Sequence, residues 1–245
     1  MEGEYEKGKI SVLISIIMLF SFMLIGCGNI VNNILENRGV NDFEVPEGVS
    51  ATLIPSDKKK LSKEEFEEVT NILSERLDSQ HLFEHEIVID EVKNEVSIKV
   101  AMEKVETDFD YVKFVAELIE IGNLTFTEYE DDEKKGKNLV ESENIVLAIA
   151  EEEQQSGGWV VKIKFNDKGR TEFTKLTEKN IGRQLAIFMD EELITAPIVV
   201  DKIDSDEVLI TGIENKDTAT RLAILINSGR LPCSLEISSV NFVAR

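Results

Sequence analysis

Few side chains in this 245-residue sequence could do covalent or metal chemistry: two cysteines, Cys27 and Cys233, and two histidines, His81 and His85. Two cysteines exclude a disulfide framework. The histidines are four apart, a spacing that serves a metal only if both lie on one face of a helix. The helical pattern before them ends near Ser79, so they are expected in a loop and the next strand, with no metal site. The acidic runs, Asp131-Asp132-Glu133 and Glu151-Glu152-Glu153, read as solvated loop faces rather than calcium ligands. No Gly-x-Ser-x-Gly, Walker loop or Cys-x-x-Cys is present. Cys233, after Pro232, reads as a small core residue. The expectation is a protein with no catalytic residues, no metal and no cofactor, hence not an enzyme.

Cys27 stands in a different setting. Lys7 and Lys9 precede an apolar run from 10 to 25 interrupted only by serines, and Leu24-Ile25-Gly26-Cys27 follows. A charged start, an apolar core and a small residue before the cut describe an export signal over 1–26, although Glu2, Glu4 and Glu6 dilute its positive start. The ending resembles the bacterial lipobox, which implies lipidation of Cys27 and a stable membrane anchor. The alternative is an uncleaved anchor, but about 16 apolar residues fall short of the roughly 20 needed for a span. Either reading places the body on the extracytoplasmic face of the membrane.

Acids outnumber bases 48 to 27, giving a formal net charge of -21. A nucleic-acid binder would carry a basic footprint, so no nucleic acid is expected as a partner. Adsorption to anionic lipid by charge alone is disfavoured for the same reason.

The rest of the chain supplies the framework. Residues 27–50 are polar, Asn-rich and aperiodic, and read as a tether. A strand over 51–55 precedes the capping box Ser62-Lys63-Glu64-Glu65, which opens a helix with Phe66, Val69, Leu73 and Leu77 on one face and Ile72 beside them. Ile87 and Ile89 alternate with polar residues, as do Val96, Ile98 and Val100, with Lys93-Asn94 as the turn between. Thr107 or Asp108 caps a second helix with Val112, Val115, Ala116 and Ile119 on one side. Gly122-Asn123 stops it, and a strand over 124–129 follows. The order is βαββαβ, a ferredoxin-like unit over 51–130. An acidic linker region spans 131–158, with a possible strand at 145–150. The second unit, 159–245, is also α+β. It reads as a strand with Val161, Ile163 and Phe165 inward, a helix with Phe173, Leu176 and Asn180 on one side, a hairpin, a strand at 208–211, a helix capped by Asn215, and a last strand at 235–243. The Asn215 helix turns Ala219, Leu222, Ala223 and Ile226 inward, and Gly229 and Pro232 end it.

The hairpin, AIFMDEELITAPIV, has an apolar strand at 184–189, a turn at Asp190-Glu191-Glu192 and a return strand at 193–200. Pro197 has no N–H to give, so this strand should lie at a sheet edge or bend there.

The second unit resembles the head of the large extracytoplasmic domain of SecD, the protein-export auxiliary subunit. The stretches that carry the resemblance are FNDKGRTEFTKLTEKNIGRQLAIFMDEELITAPIV, LITG and TATRLAILINSGRLP. ILSERLDS and IGNLTFTEY stand where the family has an arginine-bearing helix and the strand leading to the head. Glu191 replaces the usual turn glycine, and Cys233 follows Leu-Pro. The resemblance implies a base and a head that contact translocated or unfolded polypeptides and assist protein export, with Asp190, Ala196, Pro197 and Gly212 as the polypeptide-binding residues. It further implies links to the Sec translocon or SecDF, here without the transporter helices that follow in the family. A second reading is an envelope adaptor or regulatory lipoprotein that binds one folded partner.

Overall fold

A computed structural model describes residues 47–102, 109–130, 133–153 and 157–243. The export signal, Cys27 and most of the tether lie outside these residues. Numbered along the chain, the described elements are β1 (Gly48–Pro55), α1 (Lys63–Ser79), β2 (His85–Asp90), β3 (Glu95–Ala101), α2 (Tyr111–Leu118), β4 (Leu124–Glu130) and β5 (Glu133–Glu141). A 3-10 turn (Ser142–Asn144) leads to β6 (Ile145–Glu152), β7 (Trp159–Phe165), α3 (Asp167–Lys179), β8 (Gln184–Met189), β9 (Glu192–Thr195), β10 (Glu207–Ile213), α4 (Lys216–Ser228) and β11 (Leu235–Val243). No helix among them is long and apolar enough to cross a membrane.

The first core, the base, is one antiparallel sheet ordered β11-β1-β3-β2 with α1 and α2 packed against it. Local chemistry starts α1 where the sequence predicts. Ser62 Oγ accepts from the Glu65 N–H at 3.2 Å, and the Glu65 carboxylate accepts from the Ser62 N–H at 2.9 Å. Phe66, Val69, Ile72, Leu73 and Leu77 are all buried, and one further residue joins that face, Arg76.

Several expectations need correction. β1 begins at Gly48, so 48–50 belong to the sheet rather than to the tether, and Val49 is buried there between Phe242 and Val100. The second helix is capped by Asp110, whose carboxylate accepts from the Lys113 N–H at 2.9 Å; Thr107 and Asp108 lie outside the described residues. Its buried face is Val115 and Leu118, with Tyr111 and Phe114 partly buried, whereas Val112 and Ala116 are exposed. Rings explain the rotation: Tyr111 stacks on Phe242 at 5.0 Å and Phe114 meets Phe109 at 5.8 Å, so the aromatic side of the helix turns inward.

The largest difference concerns the last strand of the base. β4 does not pair with the base sheet. It pairs with β8 and β5, and β11 takes the expected place beside β1. The base is therefore completed by the C-terminal strand, and everything from β4 to α4 is inserted before that strand. Gly122, at φ +83°, turns the chain out of the base, and the Leu231 N–H returns to the Ile121 carbonyl at 2.8 Å. Leu124 and Phe126 prefer the second core because Phe165 and Phe173 wait there, with ring centroids 6.0 and 5.4 Å from Phe126.

The second core, the head, lies between a sheet ordered β5-β4-β8-β9 and a sheet ordered β10-β7-β6, with α3 and α4 against them. Much of the expected acidic linker, 131–158, is built into these sheets: β5 pairs with β4, and β6 pairs with β7. The fold is α+β with antiparallel sheets, as the pattern of elements predicts.

Candidate functional site

The β8–β9 hairpin explains its own proline. Met189 pairs with Glu192 and leaves Asp190-Glu191 as a tight turn, with Asp190 at φ +55°. β9 lies at the edge of its sheet and ends at Thr195. Ala196-Pro197 then bends the chain, which rejoins the start of β8 in a different way. The Leu185 N–H donates to the Pro197 carbonyl at 2.9 Å, the Val199 N–H to the Arg183 carbonyl at 2.9 Å, and the Gly182 N–H to the Val199 carbonyl at 2.8 Å. Pro197 thus supplies only an acceptor to the sheet, and its missing N–H costs no ladder bond.

The bend has a consequence. β9 and β10 are the facing edges of the two head sheets, and they come together near Thr195 and Gly212. Gly212, at φ +81°, forms a bulge in β10, and a Cβ there would lie 3.7 Å from Thr195 Oγ1. Beyond that contact, the chain from Pro197 to Ile203 and the strand from Glu207 to Thr211 diverge. Between them opens a cleft of about 570 Å³. Its floor is core: Phe126, Phe173, Leu185 and Ile187. Its lips are apolar and wet, with Val200 87%, Ile198 62% and Leu209 53% exposed. Two carboxylates, Asp201 and Glu207, line it, and no basic side chain does. Apolar side chains left in water around a cavity of this size form the kind of surface that holds a ligand.

Of the four expected binding residues, Pro197 lines the cleft, Gly212 lies beside Thr195 where the two sheets meet, and Ala196 precedes Pro197 without lining the cleft itself. Asp190 sits at the other end of the hairpin. Its carboxylate accepts from the Asn123 N–H at 2.7 Å and from the Gly122 N–H at 3.3 Å, and its own N–H donates to the Asn123 carbonyl. It pins the turn to the junction between base and head. Cys27 lies outside the described residues. His85 is held by Ser74 Oγ and the Leu82 carbonyl, both at 2.8 Å, while His81 sits in the turn at φ +62°. No cluster of metal-ligating groups occurs among the described residues. Burial raises the pKa of the Cys233 thiol, and the acids Asp57 and Glu65 add to this, which makes it a poor nucleophile.

Two features went unread in the sequence. The first is the cleft itself, whose signal is the apolar run Ile198-Val199-Val200 left outside any strand. The second is the role of Arg76, the arginine of ILSERLDS, which is 1% exposed and joins the two cores. Its guanidinium donates to the Leu118, Glu120, Ile121 and Gly229 carbonyls and to Ser228 Oγ, at 2.5 to 3.4 Å. It closes the C-terminal ends of α2 and α4 at once. Burial lowers its pKa to about 10, while Glu120, Asp190 and Glu75 act in the opposite direction. Nearby, Arg221 donates to both Glu120 oxygens at 2.6 and 2.5 Å. Burial raises the Glu120 carboxyl above its ordinary range; the Arg221 charge opposes this and Asp190 reinforces it. A second cavity, about 520 Å³, lies beside this seam, but Lys113, Glu117, Asp217 and Arg221 make it polar. It lacks the exposed apolar lips of the head cleft.

Comparison with known proteins agrees with this geometry. The SecDF P1 head subdomain matches residues 127–233, nearly the segment inserted into the base. SecD of Acidaminococcus fermentans is 39% identical over 121 residues, covering 48% of this chain and 27% of that protein. SecD of Sebaldella termitidis is 24% identical over 243 residues, covering 98% of this chain and 55% of that one. The chain thus spans from about a quarter to just over half of these curated relatives. A solved structure of SecDF, described as a membrane component that enhances protein export, superposes with a TM-score of 0.65 at 19% identity over 79% of this chain and 100% of that one. SecDF in a super-membrane-facing form gives a TM-score of 0.69 at 19% identity over 94% of this chain and 35% of that one. At that identity the two structures establish the fold.

Proposed function

We propose that this homologue of the SecD P1 head and base is a non-catalytic, extracytoplasmic polypeptide-binding protein that assists protein export. The observation that carries the reading is the head cleft: exposed apolar lips over an apolar floor, next to strand edges. An extended chain gains there by burying apolar side chains and by adding backbone hydrogen bonds, with little demand on its sequence. A folded chain has already buried both kinds of group. The acidic lining and the net charge of -21 favour basic clients and make binding fall as salt rises. Reversible contact with a passing client calls for modest affinity, on the order of micromolar or weaker.

The lipobox-like ending supports attachment of the body to the membrane through lipid on Cys27. Cys27→Ala should abolish lipidation, and normal maturation of that variant would rule the anchor out. For the binding function, the protein is titrated with unfolded secretory chains and with their folded forms. Binding confined to the unfolded chains supports the reading. Equal binding to both, or none to the unfolded chains, would replace it with an adaptor for one folded partner.

A further inference from the structure

The head sheets present their edges unequally. On β7, residues 161, 163 and 165 turn their backbone groups toward β10, and 162 and 164 turn theirs toward β6. Two observations fix this parity. The Phe165 N–H donates to the Asp206 carbonyl at 2.7 Å, so 206, 208 and 210 face β7 and 207 and 209 face away. On β6 the outward residue Ala148 is already taken: its N–H donates to Asn227 Oδ1 at 2.7 Å and its carbonyl accepts from Asn227 Nδ2 at 2.8 Å. The α4 side chain thus stands in for a strand and interrupts that edge. On β10, Glu207 is closed in a similar way by Ser205 Oγ, which accepts from its N–H at 3.0 Å and donates to its carbonyl at 2.7 Å. Leu209 is next in the outward series. Among the described residues it has no such partner, and it lines the apolar cleft.

Granting that the cleft holds extended polypeptide, as proposed above, we infer that the client adds to β10 at Leu209 in one register and is selected for the pattern apolar-any-apolar beside a basic residue. The client residue opposite Leu209 exchanges both of its backbone hydrogen bonds with it. Its side chain therefore shares the Leu209 face and points away from the core. The residues before and after it point to the other face, that of Val208 and Ile210, and enter the cleft above Phe126 and Phe173. Both must be apolar. Asp201 and Glu207 at the rim, with no basic residue among the lining groups, complement a flanking lysine or arginine. On β10, Ser205 at one end and the Gly212 bulge beside Thr195 at the other limit the contact to a short stretch, consistent with a client that must leave again.

The test uses a short fluorescent peptide, KKLSLK, and the full-length protein. N-methylation of the serine amide, which faces Leu209, should weaken binding at least about tenfold. N-methylation of either leucine amide, which faces away from β10, should leave it nearly unchanged. Leu209→Pro should match the first loss without unfolding the protein, since that N–H bonds nothing in the sheet. Equal tolerance of methylation at all three amides would overturn strand addition while leaving the cleft as a polypeptide site. Binding of unfolded secretory chains without binding of the peptide would overturn the sequence pattern. Failure of both ligands would remove the underlying function as well. The methylated peptides leave the protein untouched, so the outcome stands even if Leu209→Pro proves unstable.

Discussion

The base and the head use the same materials and spend them differently. The base closes four strands into one sheet, with the central strands buried on their helix-facing side and mostly polar residues outside. The head splits its strands into two small sheets that touch near Gly212 and part beyond it. Nine of the thirteen large apolar side chains exposed among the described residues belong to the head, from Val146 to Leu209. A closed sheet gives a platform, whereas two sheets with mismatched edges give a platform with a slot. The slot is where stability has been left unclaimed.

The comparison can be broken most forcefully at the seam. Arg76→Met leaves four carbonyls and Ser228 without their buried donor and should cost about 3–5 kcal/mol. In a body of this size the Tm should fall by on the order of 10 °C, and urea unfolding should separate into two steps as base and head lose their tie. A single step with little loss would mean that the cores are held together by something else. Gly169→Ala strikes one side only. Its Cβ would lie 2.6 Å from the Asn144 carbonyl oxygen and 2.8 Å from the Asn144 Cβ, which costs about 1–3 kcal/mol. Hydrogen exchange should quicken in β6 and β7 and stay unchanged in β1 and β3.

Val200→Ser sharpens the functional side of the contrast. The residue is exposed, so stability should move by no more than about 0.5 kcal/mol. Affinity for unfolded chains should fall on the order of tenfold, or about 1.4 kcal/mol, as judged by fluorescence anisotropy. The smallest effect is electrostatic. Hydrogen bonds from Lys179, and then Asn180, hold the Glu128 carboxyl below its ordinary 4.5. Its contribution is therefore present above pH 4.5 and is lost as pH falls through the lower folded value. Glu128→Gln should remove up to about 1 kcal/mol of head stability at neutral pH and flatten the acid limb of a pH titration followed by circular dichroism.

The sequence made local features readable and left long-range choices hidden. The capping box at Ser62, the alternation of Val96, Ile98 and Val100, and the Pro197 bend all depend on residues within a few positions of each other. The swap of β4 for β11 does not. Leu124–Glu130 and Leu235–Val243 are both strand-like, and only the aromatic group around Phe126 decides which of them joins which sheet. The acidic stretch after 130 looked like linker because its charges masked a strand that is paired through its backbone. At the site, Pro197 was legible as a backbone specialist, whereas Gly212 came only with the family resemblance. Leu209 was not legible, because what it offers is an outward N–H and carbonyl without a partner among the described residues, which its side chain does not advertise. Arg76 was visible only as the arginine of ILSERLDS, and its carbonyl partners are drawn from two other helix ends.

β1 and β11 run antiparallel, with Gly48 opposite Val243 at one end and Pro55 opposite Leu235 at the other. Tension applied between residues 48 and 243 therefore pulls on the open mouth of a zipper. The ladder carries such a load pair by pair rather than sharing it along its length, as strands pulled in shear would. β11 would peel first at Phe242 and Val243 and last at Leu235. Only after all eight pairs had opened would the pull reach Leu231, and through it Ile121 and the Arg76 seam. Along that direction of pull, the β1–β11 ladder thus lies in series ahead of the seam and would open before the seam is loaded.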